Sequence, residues 1–151
     1  MHGFLRHVII AANGKPIRVR KHPKHEPSPE VIELVDKTKS IAWDTTESLR
    51  TSLEQCRVAA MVNSSCGVEA LGLGIPILCF GESIYRHEGA VYICNSDEEK
   101  TAGYLDELQT EISGIHRSKQ IYLFSRIIHH QWWPEETTYR LDQMLRKLDN
   151  E

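Results

Sequence analysis

The sequence predicts an α/β fold: a Rossmann-like, mostly parallel sheet with flanking helices and a helical C-terminal tail. Three observations carry that expectation. Two continuous apolar runs, Val58-Ala59-Ala60-Met61-Val62 and Pro76-Ile77-Leu78-Cys79-Phe80, read as strands buried on both faces. A shorter alternating run, Ile17-Arg18-Val19-Arg20, lies upstream. Helical spacings separate these runs, so strand and helix alternate over residues 16 to 94. That order gives parallel strands joined by right-handed crossovers.

Each element has its own signals. Phe4 to Ala12 reads as the end of a helix, stopped by Asn13-Gly14. After the Ile17 strand, His22 to Ser28 contains two prolines and reads as a loop. Ser28 is placed to cap a second helix with Pro29 at its first position, and Val31, Ile32, Leu34 and Val35 supply its apolar face. Ser40-Ile41-Ala42-Trp43 reads as a short strand. Asp44-Thr45-Thr46-Glu47 then offers caps for a helix through Leu49 and Leu53 to Gln55. After the Val58 strand, Gly67 to Leu73 forms a short helix ending at Gly74, and the Pro76 strand ends at Gly81. From Asp97 onward helices are expected over residues 98–112, 116–130 and 137–148. Residues 1–113 therefore form the Rossmann-like domain, and residues 114–151 are expected to pack on it as C-terminal helices.

Composition narrows the function. With 151 residues, 40% of them hydrophobic and 26% charged, the chain is long enough for one core and too apolar for a disordered segment. A formal net charge of −3 argues against a broad basic nucleic-acid surface, and no nucleic-acid partner is expected. No stretch reaches the ~20 apolar residues of a membrane-spanning helix. The first residues lack the pattern of a signal peptide, so a cytoplasmic location is expected. The four cysteines, Cys56, Cys66, Cys79 and Cys94, are widely spaced without a CxxC pair, so no metal site is expected from them, and no cofactor is expected either. Adjacent His129-His130 and Trp132-Trp133 favour packing of the final helix over ligand contact.

The chemistry is expected at the carboxyl ends of the strands, where parallel α/β sheets bind their ligands. Three strands lead directly into polar segments there: Lys21-His22-Pro23, Asn63-Ser64-Ser65 and Gly81-Glu82-Ser83. The second stands before a helix, where free backbone N–H groups and the helix dipole attract an anion. Ser64 and Ser65 add hydroxyl donors, and Gly67 would let a ligand approach closely. The plainer alternative is that Ser64 or Ser65 only caps the helix. Pro23 restricts the backbone of His22, whose ring can then point a nitrogen at a phosphate oxygen. The surrounding segment 15–25 holds Lys15, Arg18, Arg20, Lys21 and Lys24 without an acid, which suits a few phosphates; a solvated basic loop is the competing reading. Glu69, early on the helix, is either stabilised by the dipole or placed to accept ribose hydroxyls. Tyr85, Arg86, His87 and Gly89 follow the last strand and are candidates to line the same cleft.

These segments, in this order, resemble the capsule polysaccharide biosynthesis/export proteins, which include β-Kdo transferases that use CMP-Kdo. The likeness lies in His22-Pro23, in the run Ser64-Ser65-Cys66-Gly67-Val68-Glu69-Ala70-Leu71-Gly72-Leu73-Gly74-Ile75-Pro76, and in Phe80-Gly81 with Tyr85 and Gly89. It covers about residues 16 to 92. The resemblance implies the C-terminal, nucleotide-sugar-binding half of a GT-B glycosyltransferase. It further implies that His22 and the Ser64-Ser65 pair contact the CMP phosphate and that Glu69 lies near the ribose. Lys21, Pro23, Asn63 and Gly67 complete the implied substrate-binding set. The partners implied are a nucleotide sugar and a polysaccharide or glycolipid acceptor, the latter held by an N-terminal half that the chain is expected to lack. Alone, the chain is then expected to transfer nothing. Association with the periphery of the inner membrane is compatible with this reading. Two alternatives stand beside it: a non-catalytic, partner-binding module of a polysaccharide export complex, and half of a CDP-glycerol glycerophosphotransferase.

Overall fold

Strands and helices alternate as the sequence predicts as far as the fourth strand, and among the described residues every pairing between strands is parallel. The structure, a computed structural model, describes residues 2–95, 97–110 and 114–132. Along the chain run α1 (His2–Ala12), β1 (Ile17–Val19), α2 (Pro29–Lys37), β2 (Ile41–Trp43), α3 (Leu49–Glu54), β3 (Ala59–Met61) and α4 (Cys66–Gly72). They are followed by β4 (Ile77–Cys79), β5 (Tyr92–Ile93), α5 (Glu98–Thr110) and α6 (Gly114–Trp132). The helix expected over 137–148 and the residue Trp133 lie outside the described residues.

Two parallel ladders make up the sheet structure. In one, β1 pairs with β2, Ile17 opposite Ile41 and Val19 opposite Trp43. In the other the order is β3-β4-β5, with Ala59 opposite Ile77 and Cys79 opposite Ile93. Ile17 packs against both the cluster of Leu5, Val31, Val35 and Ile41 and the cluster holding Leu78, Tyr92 and Leu105. Hydrocarbon contact thus joins the ladders. A third cluster, around Leu71, Ile77 and Cys79, carries the α4 side of the β3–β5 ladder.

β5 is the element that the sequence did not announce. Two residues are too few to show a period, and only their pairing with Leu78 and Cys79 makes them a strand. The two apolar runs became three-residue ladders, flanked by bonds from the Ala59 amide to the Pro76 carbonyl and from the Phe80 amide to the Met61 carbonyl, both at 2.9 Å.

Helix ends show which local signals were decisive. Asn13 and Gly14 both adopt positive φ, 45° and 83°, and end α1. Ser28 stands at the N-cap of α2 without a side-chain bond; its carbonyl instead accepts from Val31 and Ile32. The cap of α3 is Ser48, whose Oγ accepts from the Thr51 amide at 3.0 Å. The expected caps at 44–47 are thereby corrected. Asp44 is drawn instead into a buried ion pair, described below.

At the end of α4, Gly74 lies at φ 68°, its amide donating to Leu71 and the Ile75 amide to Ala70. This is a Schellman ending, which favours glycine at the left-handed position. Gly74→Ala is expected to cost about 1 kcal/mol in urea denaturation, from the side-chain penalty in that conformation.

α1 packs against α5 around a buried polar link. His7 Nε2 lies 3.0 Å from Thr101 Oγ1, and that hydroxyl donates its own proton to the Asp97 carbonyl. Thr101 must therefore accept from His7, which fixes the proton of His7 on Nε2. On the other side, α6 packs on α4, where the Phe124 ring occupies the space beside Gly72. Among the described residues no helix is long and apolar enough to cross a membrane.

Candidate functional site

The polar segments singled out from the sequence follow the carboxyl ends of β1, β3 and β4, and they gather into two clusters. The first stands beyond β1 and β2. Lys21, His22 and Pro23 are exposed there. His22 to His25 forms a turn in which the His25 amide donates to the His22 carbonyl at 3.4 Å. The Lys24 amide donates to His22 Nδ1 at 3.1 Å, and the rings of His22 and His25 stack with centroids 4.7 Å apart. Beside them the Lys21 ammonium lies 5.1 Å from the centroid of the Trp43 ring.

Asp44 directly follows β2, and its side chain is only 1% exposed. Arg20 Nη1 donates to Oδ2 at 2.7 Å, while the Thr46 hydroxyl and amide donate to Oδ1 at 2.8 and 3.1 Å. Burial alone would raise the carboxyl. Hydrogen bonds from Ser52, Arg20 and Thr46 outweigh it and hold Asp44 well below the usual carboxylate range. Parallel pairing of β1 with β2 brings Arg20 and Asp44 together, since each directly follows its strand.

The basic run 15–25 is less available to a ligand than its sequence suggested. Lys15 pairs with Asp106 at 2.9 Å, and Arg18 donates to Gln55 Oε1 at 2.8 Å. Arg20 is committed to Asp44. Lys21 and Lys24 remain the exposed cations nearest His22.

The second cluster surrounds the turn between β3 and α4. Asn63 and Ser65 are exposed, Ser64 is half-buried, and Glu69 is exposed on the first turn of α4. Free backbone donors were expected at this helix start. The structure differs: the Cys66 amide donates to Ser64 Oγ at 3.3 Å, Gly67 to the Ser64 carbonyl at 3.1 Å and Val68 to the Ser65 carbonyl at 3.0 Å. The amides of Cys66, Gly67 and Val68 are thus engaged within the turn, while the Ser65 side chain stays exposed. Ser64 does cap, through Cys66; Ser65 sits at the N-cap with helical φ and ψ and makes no side-chain cap bond.

Gly67 also has a role the sequence did not show. A Cβ there would lie 2.3, 2.4 and 2.8 Å from carbons of the Tyr85 ring. The glycine thus admits Tyr85, and its open face is covered by protein. Tyr85 is 1% exposed, and its hydroxyl donates to the Ser64 carbonyl at 2.8 Å. Burial pushes the phenol up from its ordinary value. The expectation that Tyr85 lines a cleft is replaced by a packing role: it clamps the Ser64–Gly67 turn from beneath.

After β4, Gly81 allows a close backbone approach, because a Cβ there would meet the Val62 carbonyl oxygen at 2.7 Å. The exits of β3 and β4 are thereby held side by side. Arg86 donates to Glu82 and to Asn95 Oδ1, both at 2.8 Å, and braces the following loop. Gly89, at φ 82°, lies under the side chain of Lys119. All four cysteines are free thiols; Cys79 and Cys94 are fully buried, and burial pushes Cys94 up to about 11.

The family model described as capsule polysaccharide biosynthesis protein matches residues 5–121. That span contains both clusters. No curated protein and no solved structure matches the chain.

Proposed function

Since the chain belongs to the capsule polysaccharide biosynthesis protein family and so has its role in capsule synthesis, we propose that it binds the cytidine nucleotide of an activated sugar, CMP-Kdo foremost, for a glycosyltransferase of GT-B type. Lys21 and His22 would meet the phosphate from the β1 side, held there by Pro23, and Ser64 and Ser65 would meet it from the β3 side. Asn63 and the backbone at Gly67 frame the same turn, and Glu69 takes the ribose hydroxyls. As the sugar–phosphate bond breaks, charge grows on the departing CMP, and preset donors lower that barrier. Transfer also needs an acceptor hydroxyl oriented against the donor. We assign that task to a second α/β half, so the chain by itself binds CMP and transfers no sugar.

One observation supports this reading above the others. Polar side chains following β1 and β3 reach solvent next to firmly held groups: Lys21 and His22 are exposed directly after Arg20, which Asp44 binds, and Ser65 is exposed beside Ser64, whose carbonyl Tyr85 holds. Such a supported first layer is what orientation of a phosphate demands.

Ser65 provides the test, since it is exposed and caps nothing. In calorimetric titration with CMP, Ser65→Ala is expected to weaken binding about tenfold, the effect of losing one hydrogen bond to a charged group. Its melting temperature should match the wild type. Failure of the wild-type chain to bind CMP, or equal binding by the variant, defeats the proposal. CDP-glycerol titrated in parallel discriminates a glycerophosphate donor from a CMP-sugar.

A further inference from the structure

The turn after β1 controls the state of the histidine it carries. A backbone N–H can donate only to a ring nitrogen that bears no proton, so the Lys24 amide at 3.1 Å requires Nδ1 of His22 to be bare. The ring is then neutral, with its single proton on Nε2. Pro23 fixes the backbone within the turn, and the bond from the His25 amide to the His22 carbonyl closes it. The His25 ring stacks on that of His22 at an interplanar angle of 29°. His87 shows the opposite arrangement. Its Nδ1 faces the Glu88 carbonyl at 3.2 Å, an acceptor only, which places a proton on Nδ1.

We propose that Lys24, through its amide, and His25, through its ring, are positioning residues that present His22 as a neutral Nε2–H donor to an anionic oxygen, such as that of a phosphate ester. The choice of ligand rests on the reading given above; the proton's place on Nε2 does not. A donor whose tautomer and rotamer are set before binding loses less freedom when the anion arrives, and binds it more tightly for that reason. His25 need not touch the ligand to have this effect.

The experiment uses the full chain labelled with ¹⁵N in its histidines. Long-range ¹H–¹⁵N spectra are recorded at about pH 8, where imidazoles are neutral. Signals are assigned from His22→Asn and His87→Asn. His22 is expected to show the Nε2–H pattern without averaging, and His87 the Nδ1–H pattern. His25→Ala should bring the His22 signals toward averaged values and weaken CMP binding about three- to tenfold, with an unchanged thermal melt. An Nδ1–H or averaged pattern for His22 in the wild type overturns the proposal. So does His25→Ala with both spectrum and CMP affinity unaltered. A wild-type chain locked as Nε2–H that ignores CMP supports the positioning of His22 and removes the cytidine reading instead.

Discussion

Tyr85→Ala is expected to destabilise the protein by roughly 3–5 kcal/mol, the range for emptying a buried aromatic site. The ring is nearly inaccessible, lies over Gly67, and carries the hydroxyl that holds the Ser64 carbonyl. Tyr85→Phe removes only that last bond and should cost about 1 kcal/mol. Gly67→Ala is the complementary change: its new methyl group would collide with the ring, at a cost of about 1–3 kcal/mol. The two positions share one contact, so the Gly67→Ala, Tyr85→Ala double variant should lose less than the sum of the single changes. Urea denaturation of the four proteins measures this directly. Strict additivity would show that the ring and the glycine do not meet.

Asp44→Asn should produce the second largest loss, about 1–3 kcal/mol at neutral pH. The amide presents N–H groups where the carboxylate accepted from Arg20 and Thr46. Partial exposure of the Arg20 side chain, at 32%, keeps the loss from growing larger. The change also has a pH signature. The folded carboxyl titrates below its unfolded value of 3.8, so in acid the unfolded chain binds more protons. The contribution of Asp44 is complete at neutral pH and falls away as the pH drops below about 4. Wild-type stability should fall over that range more steeply than that of the variant. Equal acid sensitivity of the two would take Asp44 out of the explanation.

What could be read from the sequence follows the reach of each signal. β3 and β4 were legible because their apolar runs are local and continuous, and the C-terminal ends of α1 and α4 because glycine marks them. The α3 cap was placed a few residues early because Asp44 and Ser48 are both cap-forming residues; only the approach of Arg20 from a neighbouring strand decides between them. β5 was missed, as its pairing comes wholly from β4. The clamp on the Ser64 turn was also missed, since Tyr85 stands 21 positions away and aromatic residues carry no mark of their partners. For the candidate site, the sequence located His22 and Ser64 at strand exits. It did not show that Lys15, Arg18 and Arg20 are engaged elsewhere, since their partners are distant in the chain.

The two ladders share no rungs: among the described residues no strand pairing links β1 with β3. Oily side chains at Ile17, rather than amide bonds, therefore register one slab of backbone against the other. A guest gripped by His22 on one slab and by Ser64 on its neighbour would act as a rivet through that joint. Its binding energy would be stored in the cohesion of the whole molecule, and nucleotide supply would set how firmly the protein holds together.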